Sequence, residues 1–229
     1  MTGRDDFALL RGAAPEELDA LLERARRRRF SAGEIVFHAG DPGDTVHFVR
    51  SGRFAVRIMT EFGDVATLNV VGAGQTFGEL ALVSPDVRRS ATVLALEDSE
   101  TLSVHRHDFD RLRSERPQTD ELLMGLLTAR VRRLSEQLVE ALYLPAETRI
   151  RRRLLDVARL YAADGADTLD GTVIPLTQEV LASLSGTSRA TVNKVLREEH
   201  EAGALELARG RTTLRDAAGL ERRARGAFG

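Results

Sequence analysis

The sequence predicts an α+β chain: a small all-β barrel or jelly roll, then one long helix, then a domain built on a helix-turn-helix. Three observations predict it. From Ser31 to about Val104, short β-rich runs are separated by glycines at 33, 40, 43, 52, 63, 72, 74 and 78. After Pro117, apolar residues recur at Met124, Leu127, Val131, Leu134, Leu138 and Ala141, in steps of three and four. From Thr177 to Leu196, small and apolar residues fall where two helices joined by a tight turn need them.

The elements follow in order. Residues 1 to about 30 are expected to be helical: Pro15 suits a first helical position, and Leu18, Leu21 and Leu22 form an apolar stripe. The run Arg26 to Arg29 is expected as a solvated helix end entering a strand. Strands are expected at Val46–Val49, Phe54–Ile58 and Ala91–Ala95, with Gly52 in a tight turn between the first two. These elements place a β-domain with its N-terminal helix at residues 1–107, and Asp108 opens the helical regime, 108–144. Its apolar seam is flanked by Arg130, Arg132, Arg133 and Glu136, which predicts a dimerisation helix. Leu122, Leu123, Leu126 and Tyr143 widen the stripe, so one side is expected to touch the β-domain. Pro145 ends the helix and opens the second domain, 145–229.

Composition sets the bounds. The chain has 229 residues, 42% hydrophobic and 30% charged, normal for a globular protein of one or two domains. It has no cysteine, which excludes disulfides, thiolate metal sites and iron–sulfur clusters. No apolar run approaches the ~20 residues that span a bilayer. The N-terminus, with Asp5 and Asp6, lacks a signal-like apolar core, so a cytoplasmic location without membrane association is expected. The net charge of −2 hides an asymmetry: from Pro145 onward the balance is +2, and before it −4. That permits nucleic-acid binding by the C-terminal part without requiring it.

The stretch richest in chemistry is Phe77-Gly78-Glu79-Leu80-Ala81-Leu82, followed by Arg89-Ser90-Ala91-Thr92. Arg89 can neutralise a phosphate with several planar donors. Glu79 is repelled by phosphate but can accept from a sugar hydroxyl. Gly78 and Ala91 let backbone N–H groups approach an anion closely. The segment resembles the phosphate-binding cassette of cyclic-nucleotide-binding domains. The resemblance implies that Glu79 holds the ribose 2′-hydroxyl and that Arg89 and Ser90 hold the cyclic phosphate. Gly78, Leu80, Ala81 and Ala91 would complete the site.

In the C-terminal domain Thr177 is a good N-cap for a helix opening at Gln178. Ala182 sits where the helices must approach closely, Gly186 where the turn needs a left-handed residue, and Val192 in the shared core. Ser188 caps the second helix, whose exposed residues would be Ser188, Arg189, Ala190, Asn193, Lys194 and Arg197. Arginine can read guanine N7 and O6, and Asn or Lys can read bases or hold phosphates. Thr177, Gln178 and Thr191 lie at the same helix starts. Gly203–Leu207 and Arg209–Leu214 read as the strands of a wing, with Arg209 and Arg211 touching phosphate.

Taken together, the chain resembles the CRP/FNR family of bacterial transcription regulators, of the catabolite-activator type. That implies a homodimer on a palindromic double-stranded operator, with cyclic AMP as effector and cyclic GMP as the alternative. Three departures stand out. Ala190 replaces a glutamate of the cyclic-AMP-receptor branch, so one base preference should differ. Lys194 replaces an arginine, losing bidentate geometry. Where the family presents Thr-Ser to the purine, this chain has Leu134-Ser135. The loop Asp164–Gly171 corresponds to a region that contacts RNA polymerase in the family, though its acidity suits a solvated loop. Competing readings are a regulator that binds DNA without nucleotide, a nucleotide-binding module that does not act on DNA, and an enzyme. For catalysis only His105-Arg106-His107-Asp108 clusters suitably, and it reads better as a hinge or cap. Haem ligation by His38, His47, His105, His107 or His200 is disfavoured, and no metal is expected.

Overall fold

The computed structural model describes residues 15–225 except 62, 64, 84–86, 118 and 164–165, with the side chains of 15–18 and 122 also left out. The chain folds as two compact units, Met1–Met59 with Asn69–Ser135, and Thr60–Leu68 with Glu136–Gly229.

The first unit opens with helix α1 (Pro15–Glu23), followed by β1 (Arg26–Phe30), β2 (Ile35–Phe37), β3 (Thr45–Ser51), β4 (Phe54–Met59), the Asn69–Val71 end of β5 (Val65–Val71), β6 (Thr76–Phe77), β7 (Thr92–Ala95) and β8 (Ser99–His105). They form two four-stranded sheets in the orders β1-β8-β3-β6 and β2-β7-β4-β5. One apolar core gathers Phe30, Val49, Phe54, Val56, Val71, Phe77, Ala91, Val93 and Ala95 from both sheets. Gly52 (φ 76°) turns β3 into β4, where a Cβ would meet the Ser99 side chain. A second core joins β3 and β8 to α1, α2 (Arg106–Glu115) and the first half of α3 (Thr119–Tyr143) through Leu21, Phe48, Leu82, Val104, Phe109, Leu112, Leu123 and Leu126.

Two expectations are corrected by the structure. The expected helix up to residue 30 ends at Glu23, and Arg26–Phe30 is a full strand paired with β8. Arg27 and Arg29 share one face of it and converge with Arg50 on the buried carboxylate of Glu100, so the sheet supplies a counter-charge that the local sequence hides. The helical stretch 108–144 is two helices, α2 and α3. Pro117 disfavours helical geometry at the residue before it, and Arg116 is extended (φ −139°, ψ 96°). His105 caps α2, accepting from the His107 backbone N–H at 3.1 Å. The expected helix of residues 1–14 lies outside the described residues.

The second unit contains α4 (Ala146–Tyr161), β9 (Val173–Ile174), α5 (Gln178–Ser185), α6 (Arg189–Glu201), β10 (Leu205–Ala208), β11 (Arg211–Leu214) and α7 (Ala217–Ala224). Its sheet runs β10-β11-β9, antiparallel throughout. Ile150, Leu154, Leu181, Val192, Val195, Leu214 and Leu220 are fully buried here. Of the loop from Asp164 to Gly171, Asp164 and Gly165 lie outside the described residues. No described helix is long and apolar enough to cross a membrane.

Candidate functional site

The first unit carries an open groove of about 520 Å³, a figure that includes open solvent at its mouth. Its floor is apolar, from Val56, Val71, Phe77 and Val93. The polar lining comes from Gly78, Glu79, Arg88, Arg89 and Ser90, with Asn69, Thr76 and Arg130. Leu80, Ala81 and Ala91 also line it. The hexapeptide and the arginine segment therefore meet in one cleft. Arg130, on α3, was not legible as a lining residue from sequence. Leu134 and Ser135 do not line this groove; Leu134 is exposed, and the Ser135 hydroxyl donates to the Val131 carbonyl at 3.0 Å.

Gly78 (φ 79°) precedes a short 3₁₀ turn, Glu79–Leu82. A Cβ there would lie 2.8 Å from Arg89 Nη1 and 3.0 Å from the Thr45 carbonyl oxygen. Glycine is thus required by its left-handed backbone and by the guanidinium behind it. Gly78→Ala is expected to cost roughly 1–3 kcal/mol, read as a lowered Tm in thermal unfolding.

Arg89 is only 6% exposed. Its backbone is locked from both sides: its N–H donates to Asp41 O, and its carbonyl accepts from Gly40 N–H, each at 2.8 Å. Its guanidinium stacks on the Phe37 ring, Cζ 4.0 Å from the centroid. Nη1 donates to the Thr45 carbonyl and Nη2 to Thr45 Oγ1, both at 2.7 Å. Nε has no partner among the described residues. Burial pushes the Arg89 pKa down from its usual value, while Asp44, Asp41 and Glu79 oppose that shift. A buried cation with one unused donor, beside a groove, is an arrangement that accepts an anion.

In the second unit the helix-turn-helix has the capping that the sequence predicts. Thr177 accepts from Val180 N–H at the start of α5, Ser188 accepts from Thr191 N–H at the start of α6, and Gly186 is left-handed (φ 56°). Arg149 donates from Nε to Ser185 O (3.0 Å) and from Nη2 to Gly186 O (3.1 Å), tying α4 to the turn. Glu199, buried on α6, is held by Arg151 from α4 and Arg223 from α7, at 2.7 and 2.6 Å. With its C-terminal half so anchored, α6 leaves Arg189, Ala190, Lys194 and Arg197 exposed, with Thr191 and Asn193 half-buried. Arg209 and Arg211 are exposed at the β10–β11 turn, which Gly210 makes.

Comparison with known proteins agrees with both units. Residues 27–116 match the cyclic nucleotide-binding domain, and residues 148–223 match the Crp-like helix-turn-helix domain. The chain is 34% identical over 213 residues to the cyclic AMP receptor protein of Thermus thermophilus, covering 93% of this chain and 94% of that one. This chain belongs to the CRP/FNR family of transcription regulators. A CRP-like cAMP-activated global transcriptional regulator of Mycobacterium tuberculosis is 30% identical to this CRP-family chain over 220 residues, with 95% and 96% covered. The crystal structure of the Thermus thermophilus catabolite activator protein aligns with a TM-score of 0.52 at 34% identity, over 95% of this chain and 98% of that one. The groove thus lies in the cyclic-nucleotide-binding domain of a CRP-family regulator, and α5–α6 in its DNA-binding domain.

Proposed function

We propose that this CRP-family chain is a homodimeric, cyclic-AMP-responsive regulator that binds palindromic DNA and catalyses no reaction. The observation that carries the reading is Arg89: a buried guanidinium whose Nε lacks a partner among the described residues, beside a groove lined by Glu79 and Ser90. In this reading Arg89 and Ser90 hold the cyclic phosphate, and Glu79 accepts from the ribose 2′-hydroxyl. The names of the Thermus and Mycobacterium relatives, both of which specify cyclic AMP, favour it over cyclic GMP. The ligand role belongs to residues 1–107 and the DNA role to 145–229.

The dimer seam is proposed on α3. Met124 and Val131 are each 63% exposed and Leu138 59%, with Leu134 also exposed on the heptad spacing. A second copy of α3 is the occupant that such spacing fits. Leu138→Asp is expected to yield monomer in analytical ultracentrifugation under conditions where wild type sediments as a dimer. A monomeric wild type would remove the seam assignment.

Arg189, Ala190, Asn193, Lys194 and Arg197 would face the major groove, Ser188 and Thr191 would support the helix start, and Arg209 and Arg211 would touch phosphate. Thr177 and Gln178 would bring the start of α5 to the DNA backbone. Arg189→Ala is expected to weaken binding to a selected operator by about 10- to 100-fold and to relax preference at one guanine. The reading is tested by selecting duplexes from a random pool with and without cyclic AMP. It predicts an inverted repeat with half-sites about one turn apart, enriched more strongly with the nucleotide. No enrichment under either condition would refute it.

A further inference from the structure

We propose that Thr45 and His47 form a positioning clamp that orients Arg89 towards the groove; its effect on ligand affinity rests on the cyclic-nucleotide reading above. Thr45 holds Arg89 at two points. Its carbonyl oxygen accepts from Nη1 and its hydroxyl accepts from Nη2, both at 2.7 Å. These contacts occupy the terminal edge of the guanidinium, with the Gly78 carbonyl 3.4 Å from Nη1 and Asp44 Oδ1 3.5 Å from Nη2, and leave Nε without a protein partner among the described residues.

The hydroxyl is an adjustable group, so something must set which way its lone pairs face. Accepting from Nη2 requires its proton to point elsewhere. Two groups stand at 3.3 Å: Asp44 Oδ1, which is exposed, and His47 Nε2, which is buried and accepts when the ring is protonated at Nδ1. His47 is 3% exposed and lies parallel to Phe77, with ring centroids 4.9 Å apart and an interplanar angle of 6°. Phe30 and Phe37 also touch it, at 6.2 and 6.1 Å between centroids. A polar ring in such a cluster is costly unless both nitrogens are satisfied. Nδ1 stands 3.1 Å from Thr101 Oγ1 on β8, and Nε2 faces Thr45. The imidazole is neutral, because burial first and the charges of Arg89 and Arg28 second hold its pKa down to about 3. In the tautomer whose Nδ1–H donates to Thr101, Nε2 accepts from the Thr45 hydroxyl. A neutral imidazole is also the form a cationic neighbour tolerates.

The spacing explains the assembly. Residues 45 and 47 project from one face of β3, which pairs with β8 at His47↔Ser103 and with β6 at His47↔Phe77. The sheet therefore carries a polar line, Thr101 to His47 to Thr45, that ends on the guanidinium.

The test begins on unliganded full-length protein. Arginine side-chain NMR is recorded for wild type, with the Arg89 Nε–H signal assigned by its loss in Arg89→Lys. Wild type is expected to show resolved, slowly exchanging Nη–H signals for Arg89. Thr45→Val should average them, and Thr45→Ser should keep them. Titration with cyclic AMP should then give about tenfold weaker binding for Thr45→Val and within twofold of wild type for Thr45→Ser. His47→Phe, which keeps the ring packing, is the second variant should Thr45→Val not fold; it is expected to broaden the same signals and weaken binding about threefold. If Thr45→Val and His47→Phe leave both the Arg89 signals and the affinity as in wild type, the clamp is refuted. Altered signals with unchanged affinity would also overturn the positioning role. Altered signals in a protein whose wild type binds no cyclic AMP would leave Arg89 clamped by Thr45 and would instead remove the cyclic-nucleotide reading.

Discussion

Arg89→Ala is expected to weaken cyclic AMP binding by at least about a hundredfold, which corresponds to roughly 3 kcal/mol or more. Two effects add. The ligand loses a charge-assisted donor that is already buried, so little further desolvation is needed to form the bond. The groove also loses its nearest cation while Asp41, Asp44 and Glu79, whose fields act on Arg89, remain close by. A phosphate would then meet these carboxylates without the buried guanidinium, leaving Arg88 and Arg130 as the cations of the groove lining. Arg89→Lys should recover only part of the loss, because an ammonium cannot hold the Thr45 carbonyl and hydroxyl together and still present a planar edge. Isothermal titration of the two variants beside wild type reads both differences. An unchanged affinity in Arg89→Ala would mean that the phosphate is bound elsewhere.

The second large effect is on stability, and it runs with pH through His47. In the folded protein its pKa is pushed down to about 3, while the unfolded value is near 6.5. Above pH 6.5 both states are neutral there and its contribution is fully present. As pH falls from 6.5 towards 3, the unfolded chain takes up a proton that the folded site refuses, so stability is lost. The expected loss from this group is about 2–3 kcal/mol between pH 7 and pH 4.5. Denaturant melts across that range should show a steeper decline for wild type than for His47→Phe, which has nothing to protonate. Equal slopes would indicate that the ring is already charged or solvated in the folded state.

Much of this was legible from the chain, for identifiable reasons. The groove residues Gly78, Glu79, Arg89 and Ser90 lie in two short segments whose residue types reveal their chemistry. The α5–α6 pair was equally legible, because capping by Thr177 and Ser188 and the left-handed turn at Gly186 are local requirements. What was missed depends on partners distant in sequence. β1 reads as a basic run because its counter-charge, Glu100, arrives from β8 some seventy residues later. Arg130 lies on a helix whose facing direction is fixed by burial of Leu123 and Leu126, not by the exposed heptad. Thr45 and His47 look like the polar positions of an ordinary alternating strand, and only the arrival of Arg89 gives them a shared target. α7 is a single short helix whose signal is little more than the Asp216 cap.

The proposed mechanism is linkage: a ligand that contacts the β-domain and α3 differently in two states shifts the population that binds DNA, and DNA must tighten the ligand by the same factor. Everything in it depends on the groove taking a cyclic nucleotide. Isothermal titration of the purified full-length protein with cyclic AMP, and separately with cyclic GMP, tests that most directly. Saturable binding of cyclic AMP at about one ligand per chain, tighter than cyclic GMP and lost in Arg89→Ala, is the predicted result. Absence of binding by either nucleotide would contradict it.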